Sequence, residues 1–485
     1  MRKRELVVLV IALLGLAVAG CGGDGGGGGA ATGTESAATI APATAALYLS
    51  LDTDFESDQW DGLNGVLDRF PGKQQLIEMI RQQLSQETVD FERDVKPALG
   101  PTVELIALDF KDENNVVGLT KPQDEQKLRE LVANADDDDV VLREIEGWTA
   151  VADNEAVLDR LEQAADGDSL ADSERFTTAM EQLPEEALAK LYLNGERATE
   201  GMSALETGTP IRIPERFGRL VSFALALEAE EDGVRFAGFT RLEGLQVDVP
   251  EMGALLEQVP ADAYAFVNFH GYDGQVRVTD FLRDTPEIQP FLGQAERFLG
   301  VTLDDVTTLF NQEGIVYARP GALIPEITLM LEVDDEEQAL RTVDRLAQRA
   351  AGLGAAPPRS RSIGDVQAKE LSFGQFSLLY AAFDGRLVVT TQADGIAELD
   401  AGGDKLVDGD RYGDAVEAAG VEDDEDVYFY FDLQKTVDIA EQLAQLAEQE
   451  LPSEARANLE PLRSLVASAK IGKENTTFRL FVEVE

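Results

Sequence analysis

The chain has 485 residues, 44% hydrophobic and 27% charged, a balance found in folded globular domains and not in disordered polymers. Its 92 acidic side chains against 41 basic ones leave a net charge of −51, which excludes nucleic acid and anionic headgroups as partners by repulsion. A single cysteine and a single histidine exclude an intrachain disulfide and every two-histidine metal motif.

In chain order, Arg2, Lys3 and Arg4 come first, then an apolar run from Leu6 to Val18, then Ala19-Gly20-Cys21. A basic start, a short greasy middle and small residues at the cut make a secretory signal. The run of about 13 residues is too short for the roughly 20 that span a bilayer. Val18-Ala19-Gly20-Cys21 resembles a lipobox, and the sole cysteine lies where that motif requires one. Residues 1–21 are therefore expected to be a lipoprotein signal peptide. Cys21 is the expected lipidation site, acylated and holding the chain to the extracytoplasmic face of the cell membrane. With Gly22 and not an aspartate after it, the outer membrane is an open destination in a cell that has one. Residues 22–40, with glycine throughout 25–29, are expected to form a flexible tether.

Beyond the tether the chain repeats itself. Pro42-Ala43-Thr44-Ala45-Ala46-Leu47-Tyr48-Leu49 matches Pro260-Ala261-Asp262-Ala263-Tyr264-Ala265-Phe266-Val267, each an opening strand after a proline. Asp124-Glu125-Gln126-Lys127-Leu128 matches Glu336-Glu337-Gln338-Ala339-Leu340, each opening a helix with acids where the dipole favours them. Gly147 to Val151 matches Gly385 to Val389, again a strand. Leu170-Ala171-Asp172-Ser173-Glu174-Arg175-Phe176 matches Leu406-Val407-Asp408-Gly409-Asp410-Arg411-Tyr412, and Leu191 to Asn194 matches Phe429 to Asp432. Five matches in one order, at similar spacing, predict two tandem homologous domains, 41–250 and 251–485.

Each copy reads as α+β, a mainly antiparallel sheet with helices packed on it, because strands follow one another through short turns without steady βαβ alternation. The first copy has a helix near 74–86, strands at 102–110 and 115–120, the Leu128 helix, strands at 140–144 and 148–152, and a helix at 155–163. The second has a helix carrying Phe291, Leu292, Phe298 and Leu299 on its apolar face. Strands at 314–318 and 326–333, a helix at 336–351, and strands at 376–383 and 386–391 follow. Each copy closes on a hairpin, Leu220–Leu227 with Val234–Arg241 around Asp232-Gly233, and Leu465–Ile471 with Phe478–Val484. A helical stretch near 434–463, broken at Pro452, precedes the second hairpin.

The Pro-Ala opening strand, the Leu-x-Asp-x-x-Arg-aromatic motif and the duplication resemble an uncharacterised family of bacterial exported proteins, domain of unknown function 3352. The resemblance covers both copies and implies a signal-bearing or lipobox-bearing envelope protein. It brings no reaction, cofactor or catalytic residue.

The residues themselves carry little chemistry. His270 follows the second opening strand, where the first copy has Asp52, and reads as a polar strand-end residue. Gly-x-Ser-x-Gly and Ser-x-x-Lys are missing, as are a Walker loop and Gly-x-Gly-x-x-Gly after a strand. The acidic runs Asp136–Asp139 and Glu422–Asp426 read as solvated loops, since calcium needs six to eight converging oxygens. Asp172 and Asp408 read as helix caps, each pairing with the arginine three residues on, Arg175 or Arg411, while Phe176 and Tyr412 read as core anchors. No catalytic residue, metal ligand or cofactor is expected, and the protein reads as a non-enzyme. The expected function is a membrane-anchored extracytoplasmic lipoprotein that binds or scaffolds an envelope partner, with a hydrophobic-ligand carrier as a special case. The competing expectation is an envelope polymer hydrolase working through acidic residues.

Overall fold

The computed structural model describes residues 36–84, 91–110, 115–134, 140–165, 167–205, 217–245, 252–271, 289–321, 324–352, 354–374, 376–446 and 452–485. The signal peptide, Cys21 and the acidic run Asp136–Asp139 lie outside the described residues. The strands are β1 (Leu47–Asp52), β2 (Thr102–Ala107), β3 (Val116–Thr120), β4 (Val141–Ile145), β5 (Trp148–Ala152), β6 (Ala189–Asn194), β7 (Phe217–Glu230) and β8 (Gly233–Leu245). They continue as β9 (Ala265–His270), β10 (Glu313–Arg319), β11 (Glu326–Glu332), β12 (Arg359–Ile363), β13 (Val366–Phe373), β14 (Phe376–Phe383) and β15 (Arg386–Thr390). Last come β16 (Asp426–Asp432), β17 (Leu462–Ile471) and β18 (Asn475–Val484).

All of these strands lie in one antiparallel sheet, so the protein is a mixed α and β structure built on a single large sheet. Across the sheet the order is β4-β5-β3-β2-β1-β6-β7-β8-β18-β17-β16-β9-β10-β11-β15-β14-β13-β12. The sequence reading gave each copy its own sheet. The strands instead join through β8 and β18, paired from Gly233↔Glu483 to Arg241↔Asn475. Each would otherwise present a long row of unpaired N–H and C=O groups at a sheet edge, and pairing satisfies both rows at once.

Other expectations shift as well. Residues 36–40, assigned to the tether, are folded: Ala37–Thr39 form a 3-10 turn and Ala37, Ala38 and Ile40 are buried. Alanine and isoleucine here supply apolar side chains that pack into the core around Tyr48. Phe298 and Leu299 are 57% and 38% exposed, so these two do not form the apolar contact face expected of the helix Gln289–Leu299. The hairpin β12–β13 was not anticipated, because Arg359, Ser360, Arg361 and Ser362 are all exposed and show no apolar alternation.

Strand residues alternate between the two faces of the sheet, and paired residues share a face. One face is closed by helices. Glu155–Ala165 and Glu174–Met180 seal the part around Tyr48, Ile106 and Tyr192, while Asp394–Ala401 and Asp410–Ala418 seal the part around Phe266, Ile315 and Tyr430. Phe176 stands edge-on to both Tyr48 and Tyr192, at 5.3 and 5.0 Å between ring centres. Tyr412 lies between Phe266 and Tyr430, tilted against the first at 6.1 Å and edge-on to the second at 5.2 Å. Both aromatic residues are core anchors, as their positions in the repeated motif required. The opposite face is covered in part. Trp60 of Asp58–Asp68 packs with Val103 and Ala229, so this helix lies over β7 and β8 near the middle of the sheet, and Ala339 of Glu336–Ala351 packs with Leu331 and Leu387 on β11 and β15.

Candidate functional site: the open face of the sheet

Beneath and between these helices the same face of the sheet carries an apolar floor. A single register row runs through Val103, Leu51, Ala189, Leu227 and Phe236 on β2, β1, β6, β7 and β8. The same row continues through Leu480, Ala467, Phe429, Val267, Val316, Leu329 and Val389 on β18, β17, β16, β9, β10, β11 and β15. No polar side chain interrupts it. Val103 and Leu51 are buried, Leu227 packs against the Trp60 cluster, and Leu329 and Val389 pack against the cluster around Ala339, while Phe236, Leu480, Ala467 and Phe429 are half-buried and Val267 is 46% exposed. A neighbouring row holds Leu49, Leu191, Leu225, Gly238, Phe478 and Ala469. Gly238 is required there, since a Cβ would collide with the Phe478 ring that lies across it. Scattered apolar residues are ordinary on a protein surface, whereas a contiguous apolar floor is not.

The ionisable groups are gathered on the closed face. Glu104 is fully buried: Oε2 accepts from the Tyr48 hydroxyl at 2.7 Å and the Ala37 N–H at 2.8 Å, and Oε1 has no partner. Burial pushes its pKa up to about 7. Asp52 is likewise buried, accepting from the Ser57 hydroxyl at 2.6 Å and the Asp54 N–H at 2.9 Å, and burial raises it to about 7. Lys190 is opposite Ser50, on the side away from Glu104, and its Nζ donates to the Glu185 carbonyl at 2.6 Å; burial lowers its pKa. Glu313 ties down the turn before β9 by accepting from the N–H groups of Gly253 and Leu255 at 2.9 and 3.1 Å. Arg319 and Glu326 pair at 2.7 Å while almost wholly buried. Apart from Glu104 Oε1, these groups are held by backbone, by hydroxyls or by one another, an arrangement that ties elements together.

The residues singled out by sequence do not converge. Cys21 is outside the described residues. His270 is half-buried at the end of β9, its Nδ1 3.3 Å from the Gly271 carbonyl oxygen and its ring edge-on to Tyr428. Neither Asp172 nor Asp408 is the cap residue expected: Ser169 caps the turn Leu170–Asp172, with Asp172 reaching back to accept from the Ser169 N–H and hydroxyl, and Gly409 stands at the start of the helix Asp410–Ala418. Arg175, however, pairs with Glu196 and not with Asp172, and Arg411 pairs with Asp432 and not with Asp408. The guanidinium crosses to the helix after β6 in one case and to the last residue of β16 in the other, so a tertiary contact replaces the local i, i+3 pair. Within the run Glu422–Asp426, Glu422 and Glu425 both hold Arg479 and Asp424 holds Lys470. Among the described residues, no group of three or more His, Cys, Asp or Glu side chains is placed to hold a metal ion. No described helix is long and apolar enough to cross a membrane. Sequence reasoning missed the open floor, although its signal was present in the apolar alternation on both faces of β7, β16 and β18.

The family model described as protein of unknown function (DUF3352) matches residues 144–484. The chain belongs to this family. The match starts in β4, ends in β18 and crosses the expected copy boundary at 250–251; it does not extend over Ala41–Arg143, which the resemblance was expected to cover. No curated protein matches the DUF3352 chain. A solved structure described as crystal form III of TP0453 is similar at 9% identity, covering 44% of this chain and 81% of its own with a TM-score of 0.23. At that score the likeness carries no argument about fold or function.

Proposed function

We propose that this DUF3352 protein is a lipid-anchored extracytoplasmic binding protein that holds an apolar ligand against the open face of its sheet. The reading is supported above all by the apolar register row that crosses twelve strands, from Val103 to Val389, without a polar side chain. An acyl chain is the ligand that suits such a floor: each buried methylene contributes about 0.8 kcal/mol and asks for no hydrogen bond. The surrounding net charge of −51 favours a neutral or zwitterionic headgroup over an anionic one. The anchor at Cys21 would keep the site close to a membrane from which such a ligand comes.

The architecture is, on this reading, a tandem duplication. β1 sits between β2 and β6, and β9 sits between β10 and β16; each half ends in a hairpin whose first strand pairs with β6 or β16. The bridges Pro42↔Ser169 and Pro260↔Lys405 hold the turn before each opening strand against the start of the repeated motif. These parallels support copies at 41–250 and 251–485.

The test begins with Cys21→Ser, which should release the protein from the membrane fraction. Solvent extraction of the released, purified protein and mass spectrometry should yield an acyl lipid, and Val267→Asp should remove it without loss of folded protein. A chain that carries no lipid sinks the ligand reading. Activity on envelope polymers that vanishes with a single carboxylate substitution would put a hydrolase in its place.

A further inference from the structure

A second site lies on the opposite, closed face, at the seam between β8 and β18. Its origin is in the register. Ala224 of β7 pairs with Tyr192 on one side and Phe239 on the other; Val466 of β17 pairs with Tyr430 and with Phe481. Phe239 and Phe481 thus hold matching places, both 1% exposed, and two residues earlier Ala237 matches Arg479. Ala237 also pairs directly with Arg479 across the seam. The pairing is self-complementary: Phe236 faces Leu480 where Gly238 faces Phe478, and Arg235 faces Phe481 where Phe239 faces Thr477. A local two-fold axis therefore passes between Ala237 and Arg479, as in an isologous interface.

The symmetry of backbone is broken by the side chains on the axis. A methyl group stands where its mate has a guanidinium, and Arg479 leans toward its own half. Its Nη1 meets Glu425 at 2.7 Å and its Nη2 meets Glu422 at 2.8 Å, while the Ser468 hydroxyl holds the other Glu425 oxygen at 2.9 Å. The space left over Ala237 is a cleft of about 480 Å³, walled by Thr178 and Gln182 from one side and by Glu422 and Glu425 from the other. That volume is within the usual range for small-molecule sites.

The lining selects among ligands. Its charged residues are Glu422, Glu425, Lys470 and Arg479, two of each sign, so the cleft is neutral within a chain of net charge −51. A cation would have to displace Arg479 from both carboxylates, and an anion would meet those carboxylates and the field of the whole chain. Carboxylates that accept, a guanidinium that donates, and the amides of Gln182 and Asn475, which do both, suit a ligand with many hydroxyl groups. We propose that this cleft binds a neutral saccharide unit across the Ala237–Arg479 axis. The proposal is independent of the apolar-ligand reading, since it concerns the other face of the sheet.

The experiment uses the full-length protein in a sugar-free zwitterionic detergent, with cellobiose, maltose and N,N′-diacetylchitobiose as probes in saturation-transfer NMR. At least one should bind at about 10 mM or below, and Ala237→Leu, which fills the cleft, should weaken it about tenfold or more. Gln182→Trp blocks the same cleft from an exposed rim position and should weaken binding equally, so it decides the matter if Ala237→Leu fails to fold. No binding by any of the three sugars overturns the proposal, as does binding that Gln182→Trp leaves intact.

Discussion

The two faces of this sheet are made from the same strands and have opposite characters. The closed face buries Tyr48, Tyr192, Phe266 and Tyr430 under helices and also hides Glu104 and Lys190. The open face has almost no polar side chains along its central row, yet leaves Val267 46% exposed. Burial and polarity therefore run against the ordinary pattern, in which the polar side of a sheet faces water. The difference teaches that apolar character on a strand does not by itself report a core. A helix layer closes one face, and the other is covered only in part.

That contrast can be broken at its strongest point first. Removing Arg319 by Arg319→Met would leave Glu326 buried and uncompensated, and should cost about 3–5 kcal/mol in urea unfolding. Adding Glu326→Leu should recover most of it, and an additive loss would mean the pair is not coupled. Phe176→Ala should cost a similar ~3–5 kcal/mol, because the cavity opens between two tyrosine rings that cannot collapse into it. A loss no larger than that of an exposed residue would refute the closed face as the main core.

The next effect is in pH. Burial raises Asp52 and Glu104 from ordinary carboxyl values to about 7, so the folded chain keeps protons that the unfolded chain has already released. The stability they contribute is complete below about pH 4 and is lost as pH rises through about 7. In a pH series of thermal melts, Glu104→Gln should flatten the decline between pH 5 and 8 and raise the pH 8 midpoint by about 2–4 °C. A midpoint that climbs with pH in the wild type would contradict the burial of these groups. The smallest effect belongs to the open face: Val267→Thr should change unfolding free energy by within about 0.5 kcal/mol while lowering the amount of lipid recovered with the protein.

Much of the secondary structure was readable along the chain. The hairpins at Asp232-Gly233 and before Phe478, the helices opened by Glu125 and Glu336, and the anchoring role of Phe176 and Tyr412 all follow from local pattern. The partners of Arg175 and Arg411 did not, because a long guanidinium reaches residues that fold near it as easily as residues near it in sequence. The open floor was half-readable: β16 is apolar or aromatic from Val427 to Phe431 and β18 from Leu480 to Val482, which says that neither face needs water there but cannot say which face a helix covers.

Sequence by itself determined most of the strands, their alternation and the turns between them, since these depend on residues a few places apart. It also pointed to the family whose model matches residues 144–484. Tertiary structure alone decided that β8 closes on β18, that the turn at Ala37 tucks under Glu104, and that one apolar face is roofed and the other covered only in part. The physical reason is the same in each case. A strand edge offers identical N–H and C=O groups to any partner, and only the packing of distant segments selects which one it meets.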